Sequence, residues 1–419
     1  MSAEIGASGG IETRYSWIRL GIAIVIGTIG GVGMWSVVVA LPAVQAEFET
    51  GRGNASLPYT LVMLGIAAGG IFFGRISDQR GIVPLLLIGA VALGLGYVAA
   101  GFSPNIWVFI AIHGVMIGAL GSAASFGPLM SNTSLFFDRH RGLAVALCAC
   151  GNYIGGAIWP RVVQYGLDTV GWRYTHMGIG LICVVTLVPL SLLMRRRPPA
   201  APVRASAATG RHGSASLGLH PGLLQVLLGV AGIGCCVAMS MPQVHLVAYC
   251  GDLGYGAARG AEMLSMMLGL GVISRIAGGM VADRFGSIFA LALGSLMQGL
   301  ALTFFLFFDS LTSLYLIAAM FGLFQGGIVP SYAMIVRDYF PSAEAGRRVG
   351  VVLMATLVGM AFGGWLSGAI FDLTGSYAMA FLNGVVFNLI NLAIVVWLLM
   401  RSGGVFAVYH ARRAVAHVM

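Results

Sequence analysis

Apolar residues along the chain gather into twelve long runs, each close to the length a helix needs to cross the roughly 30 Å hydrocarbon core of a bilayer. The runs cover 17–44, 56–76, 83–101, 105–131, 142–166, 174–194, 222–249, 258–281, 287–308, 311–336, 349–371 and 378–400. Charged and turn-forming residues divide them, so the pattern predicts an all-α membrane protein with twelve transmembrane helices. Between the sixth and seventh runs, Arg195-Arg196-Arg197-Pro198-Pro199 opens an Ala/Ser/Gly-rich stretch to Gly218 that has the composition of a linker. The predicted organisation is an N-terminal six-helix bundle at 1–194, a basic linker at 195–221, a C-terminal six-helix bundle at 222–400 and a tail at 401–419.

Three motifs recur in the same order at nearly one offset. Gly74, Asp78 and Gly81 end the second run as G-x-x-x-D-x-x-G, and Gly279, Asp283 and Gly286 end the eighth in the same way. Gly151, Gly155 and Gly156 in the fifth run match Gly359, Gly363 and Gly364 in the eleventh. Asp168 with Gly171, and Asp372 with Gly375, then form D-x-x-G directly after those two runs. The two halves therefore read as parallel repeats, an arrangement in which a substrate sits between halves that rock around it.

Composition agrees. Hydrophobic residues make up 58% of the chain and charged residues 9%, with a mean hydropathy of +0.92. A soluble enzyme of this size needs a far more charged surface, and 62 glycines suit helices that approach closely in lipid. All 23 basic residues are arginine, so the +9 balance is a question of topology before it is one of nucleic acid, and no nucleic-acid partner is expected. Eighteen arginines lie at the termini and in the loops after helices 2, 4, 6, 8 and 10, whereas the opposite loops hold Arg52, Arg173 and Arg259. Both termini are thus expected in the cytoplasm, and arginine usage with the lack of a cleavable signal suggests the inner membrane of a bacterium. Six cysteines lack the spacing of a metal site or disulfide framework, and neither metal nor cofactor is expected. No enzyme motif is present, and a phosphate-binding G-x-x-x-x-G-K-[ST] loop is impossible without lysine, which leaves gradients to drive any transport.

Taken together, these features resemble the major facilitator superfamily along essentially the whole chain. Gly74-Arg75-Ile76-Ser77-Asp78-Gln79-Arg80-Gly81 is similar to its signature between helices 2 and 3, departing where Ile82 and Val83 replace a basic pair. The resemblance implies gating roles for Gly74, Asp78, Arg80 and Gly81 and for their repeat copies Gly279, Asp283, Arg284 and Gly286. Phe136-Phe137-Asp138-Arg139-His140-Arg141-Gly142-Leu143-Ala144 and Ser274-Arg275-Ile276-Ala277-Gly278-Gly279 further resemble the monocarboxylate transporter and oxalate/formate antiporter branch. There the arginine of helix 8 binds the substrate carboxylate, which implies that role for Arg275.

Physical reasoning supports the same residue. Arg275 lies eight residues before Asp283, about 12 Å into the membrane at 1.5 Å per residue. An arginine at that depth costs about 2.5–3.5 kcal/mol and ordinarily faces a cavity or a partner. Its planar fork can hold a carboxylate through two parallel hydrogen bonds. Tyr332, Asn152, Tyr153, Trp35, Tyr59, Gln325 and Trp365 are candidates to complete a half-polar cavity. His113, His245 and Glu262 are candidates to carry a coupled proton. The expectation is a secondary active carrier of small carboxylates of the lactate or pyruvate class, embedded in lipid and driven by protons or a counter-anion. The rivals are an efflux carrier for drugs or other metabolites and a non-transporting membrane sensor or scaffold.

Overall fold

The computed structural model describes residues 12–124, 127–196 and 217–403. The Asp78 side chain, most of the linker and the tail beyond 403 lie outside the described residues. Helix α1 (Arg14–Glu47) is interrupted at Gly31, and α2 (Arg52–Arg80) and α3 (Ile82–Gly101) follow. Helix α4 starts at Ile106–Ile112, widens into a π-helix at His113–Ser122 and resumes at Gly127–Ser134. A helical stretch of 53 residues, Arg141–Leu193, comes next. At 1.5 Å per residue it would run to about 80 Å, far beyond a bilayer core. It is two helices, α5 (141–170) and α6 (172–193), reversed at Gly171, whose φ of 79° suits a residue without Cβ. The reversal is tight enough that a Cβ on Gly166 would touch Thr175. Where the sequence pattern predicts a seven-residue loop, one residue makes the turn.

The second half comprises α7 (Pro221–Asp252), α8 (Ala257–Phe285), α9 (Ser287–Phe307), α10 (Leu311–Tyr339), α11 (Ser342–Thr374) and α12 (Tyr377–Arg401). Eleven helical stretches among the described residues are long and apolar enough to span a membrane, and with the reversal at Gly171 they make twelve crossings. Exposed apolar side chains such as Phe72, Leu95, Leu181, Val185 and Met280 face outward, as lipid contact requires. The end of the molecule where α1 begins and α12 finishes is called proximal below, and the opposite end distal.

Each repeated glycine does in one half what its copy does in the other. A Cβ on Gly151 or Gly155 would strike the carbonyls of Ile24 or Thr28 in α1, and one on Gly359 or Gly363 would strike Ile233 or Val237 in α7. These glycines let α5 lie on α1 and α11 on α7 at backbone contact. The third glycine of each set faces the other half: Gly156 meets Leu268 of α8, and Gly364 meets the ring of Tyr59 on α2. The main seams between halves are accordingly α5 with α8 and α2 with α11.

Gly81 and Gly286, which close the repeated G-x-x-x-D-x-x-G, take φ of 79° and 99° and end α2 and α8 at the proximal end. Gly74 and Gly279 have open space before them, while Arg80, Asp283 and Arg284 are exposed there. Arg19, counted by sequence with the arginines of the termini, is 2% exposed inside α1. Its guanidinium donates to Asn132 Oδ1 (2.7 Å) and the Met194 carbonyl (2.9 Å) and lies 4.3 Å from the centre of the Phe136 ring.

Candidate substrate-binding site

Helices α8 and α10 approach so closely that a Cβ on Gly326 would fall on the Gly271 carbonyl, and one on Gly278 on Gly327. That approach brings the Gly326 carbonyl to Arg275, whose Nε donates to it at 3.3 Å. From the other half, the Ala149 carbonyl of α5 accepts from Arg275 Nη1 at 2.9 Å. The Tyr153 ring fills the space left by Gly271 and lies beneath the guanidinium, 4.6 Å away. Among the described residues no carboxylate pairs with Arg275. A guanidinium has five N–H donors, and here its acceptors are two backbone carbonyls and a π face, which leaves a bidentate anion more to offer it.

Three other candidates lie at the seams between halves. Trp35 donates from Nε1 to the Asn152 carbonyl (3.2 Å), and its ring borders Gly156. The Tyr59 ring packs on Gly364, and its buried hydroxyl has no hydrogen-bond partner. Trp35, Tyr59, Tyr153 and Arg275 are thus gathered around the glycines that face across the halves.

The remaining candidates point elsewhere. Tyr332 donates to Asn391 Oδ1 (2.7 Å) inside the C-terminal bundle. The Asn152 amide reaches Met34 Sδ beside the Gly31 interruption. Gln325 accepts from Gln243 (2.7 Å), and the second polar atom of each amide is left unpaired. Trp365 is half-buried beside exposed Phe362. His113 opens the π-helix and packs with Tyr97, Phe109 and His176, toward α3 and α6 rather than the seam between halves. Its Nδ1 meets the Phe109 carbonyl at 2.9 Å. Glu262 accepts from Tyr315 (2.5 Å) and Arg259 (3.1 Å) near the distal end of α8.

His245 belongs to a cluster that sequence reasoning missed. Arg52, the first residue of α2, is 8% exposed. It forms an ion pair with Asp252 at the end of α7 (2.6 Å), donates to the Tyr377 hydroxyl of α12 (2.8 Å) and lies over Phe371 of α11. Asp372 of α11 accepts from the backbone N–H groups of Arg52 and Gly53. The distal end is thereby closed by contacts that all cross between halves. Two signals were available: Arg52 is one of three arginines in distal loops, and Asp372 is half of a repeated motif. The other copy behaves differently, since Asp168 accepts from Gln164 within α5.

Comparison with known proteins agrees with this architecture. The family model described as Major Facilitator Superfamily matches residues 23–313 and 264–405. Monocarboxylate transporter 11 of Mus musculus is 27% identical over 392 residues, covering 90% of this chain and 85% of that protein. The MFS-type transporter YcxA of Bacillus subtilis is 25% identical over 366 residues, covering 83% and 86%. Among solved structures, an inward-facing bacterial homologue of the human lysosomal transporter Spinster superposes with a TM-score of 0.69 at 14% identity, covering 95% of this chain and 98% of that one. With its twelve crossings, its repeated halves and a family match along most of its length, the chain belongs to the major facilitator superfamily of membrane transporters.

Proposed function

We propose that the protein carries small organic monocarboxylates, of the size of lactate or pyruvate, across a plasma membrane by alternating access, with Arg275 as the carboxylate-binding cation. The observation that carries this reading is the set of partners around Arg275: two carbonyls and an aromatic face, with no counter-ion among the described residues. Relatives named monocarboxylate transporters, in mouse and rat, add support. The excess of arginine at the proximal end supports an orientation with both termini in the cytoplasm.

The geometry suggests how binding couples to motion. Arg275 commits one donor to Ala149 of the opposite half. An arriving carboxylate takes that donor and its neighbour in a bidentate pair, and Tyr153 and Tyr59 close over the apolar end of the substrate. The cross-half bond is exchanged for one to the substrate, so the seam is free to reorganise only when the charge is neutralised. Transport is driven by symport with protons or exchange for a counter-anion.

Counterflow of labelled lactate in proteoliposomes tests the assignment. Arg275→Ala should abolish it, and Arg275→Lys should leave a small residue, because an ammonium replaces the charge but not the planar fork. Normal counterflow by Arg275→Ala would overturn the reading.

A further inference from the structure

A chain of hydrogen bonds runs from the distal surface to the seam where Tyr59 packs. Asp252, 38% exposed at the mouth, pairs with Arg52. Arg52 Nη1 donates to the Tyr377 hydroxyl (2.8 Å), which lies 3.2 Å from His245 Nδ1. His245 Nε2 lies 2.8 Å from the Gly364 carbonyl, and Gly364 is the glycine against which the Tyr59 ring packs. The chain fixes its own protons. A carbonyl can only accept, so Nε2 carries the ring hydrogen, and in a neutral imidazole Nδ1 must then accept from the Tyr377 hydroxyl. That hydroxyl in turn accepts from Arg52. His245 is fully buried, so this tautomer is held on both sides.

We propose that His245 is a proton-binding site and that its protonation releases the Arg52 crossing, opening the distal, outer gate. The inference rests on the alternating-access reading above and specifies its coupling ion. The proton comes from outer water at the mouth and settles on Nδ1, converting that atom from acceptor to donor. Tyr377 can then no longer donate to it, and two cations meet at one oxygen. The ionisable groups around His245 are Arg52 from α2, Asp372 from α11, Tyr377 from α12 and, on its own helix, Asp252 and Tyr249. Both carboxylates belong to the same half as His245. An imidazolium competes with Arg52 for them and leaves the C-terminal half balanced without a cation from the other half. A carrier that opens outward when protonated loads substrate and proton from the same side, which is symport.

The experiment reads gate opening without any substrate, so its failure is separate from failure of the monocarboxylate reading. Spin labels on Pro104→Cys and Phe308→Cys, exposed in distal loops of the two halves, report their separation by pulsed EPR, while the six native cysteines are buried. On lowering the pH from about 8 to about 5, the range in which histidine ordinarily titrates, the longer-distance population should grow at least about fivefold. His245→Gln, whose amide can still accept and donate, should remove that response, as should Tyr377→Phe, which cuts the chain without touching either charge. Arg52→Gln should show the long distance at every pH. A pH response that persists in both His245→Gln and Tyr377→Phe, or none in the otherwise native protein, would overturn the proposal.

Discussion

Asp372, near the end of α11, accepts hydrogen bonds from the backbone N–H groups of Arg52 and Gly53, each at 2.7 Å, and so caps the start of α2 from the opposite half of the molecule. Helix α2 has no side-chain cap of its own and no acidic residue in its first turn. The unpaired N–H groups and the positive end of the helix dipole therefore find their anion only while the distal end is closed.

Removing that charge should favour opening. Asp372→Asn keeps an acceptor but loses the interaction with the dipole, worth about 1 kcal/mol, or about a fivefold shift toward the open state. Ser56 lies fully buried beneath Arg52 on α2, so a Ser56→Cys reporter should react about five times faster with an impermeant maleimide in the Asp372→Asn background. Asp168→Asn is the control: its carboxylate is bonded within α5, and the reporter should not change. Equal acceleration by both substitutions would mean that a general loosening, not the cap, is being read.

Arg19 supports stability at the other end. It ties α1 to Asn132 of α4 and to the Met194 carbonyl at the end of α6, with no carboxylate partner among the described residues. Arg19→Gln leaves the buried Asn132 oxygen without its donor, a loss of about 2 kcal/mol. Arg19→Lys should be nearly as damaging, because a single ammonium cannot replace a fork that reaches both acceptors. Thermal inactivation in detergent should be markedly faster for both variants, and an unchanged half-life for Arg19→Lys would show that only the charge matters.

What could be read from the sequence was depth and repetition; what could not was direction around each helix. The third glycine of each set was legible as a repeat, and both copies face the opposite half. Arg275 was legible because a charge deep in an apolar run is costly wherever it points. His113 has the same kind of depth, yet it turns toward His176 and Tyr97 within the N-terminal bundle, at the point where α4 changes to π geometry and its faces are displaced. The gate was hidden for another reason. Asp372 is bonded to the backbone N–H groups of Arg52 and Gly53 but lies 320 residues from Arg52, and no local pattern links them.

The pH dependence of one proximal contact follows from Glu12, just ahead of α1. The His140 backbone N–H, above all, and that of Asp138 hold its carboxylate below the ordinary value of 4.5. A carboxylate with a depressed pKa contributes fully above its unfolded value, and the contribution fades as pH falls through the folded value. Exchange protection of the His140 amide, corrected for intrinsic rate, should thus be constant from about pH 8 to about pH 5 and decline below about pH 4. Loss of protection between about pH 8 and about pH 6 would assign control of the contact to an imidazole instead.

At the substrate site, Gly271 and Tyr153 should behave as one unit. The ring occupies the space where a Cβ on Gly271 would stand, and the guanidinium of Arg275 rests on that ring. Gly271→Ala must displace Tyr153, while Tyr153→Leu removes the π face directly. Each should raise the KM for counterflow by about tenfold, the size of a partly desolvated cation–π contact. If the ring is the route by which Gly271 acts, the double variant should be hardly worse than either single one, because the second change removes an interaction already lost. Multiplicative effects, about a hundredfold together, would mean that the two positions contribute separately and that Arg275 does not depend on the stacked tyrosine.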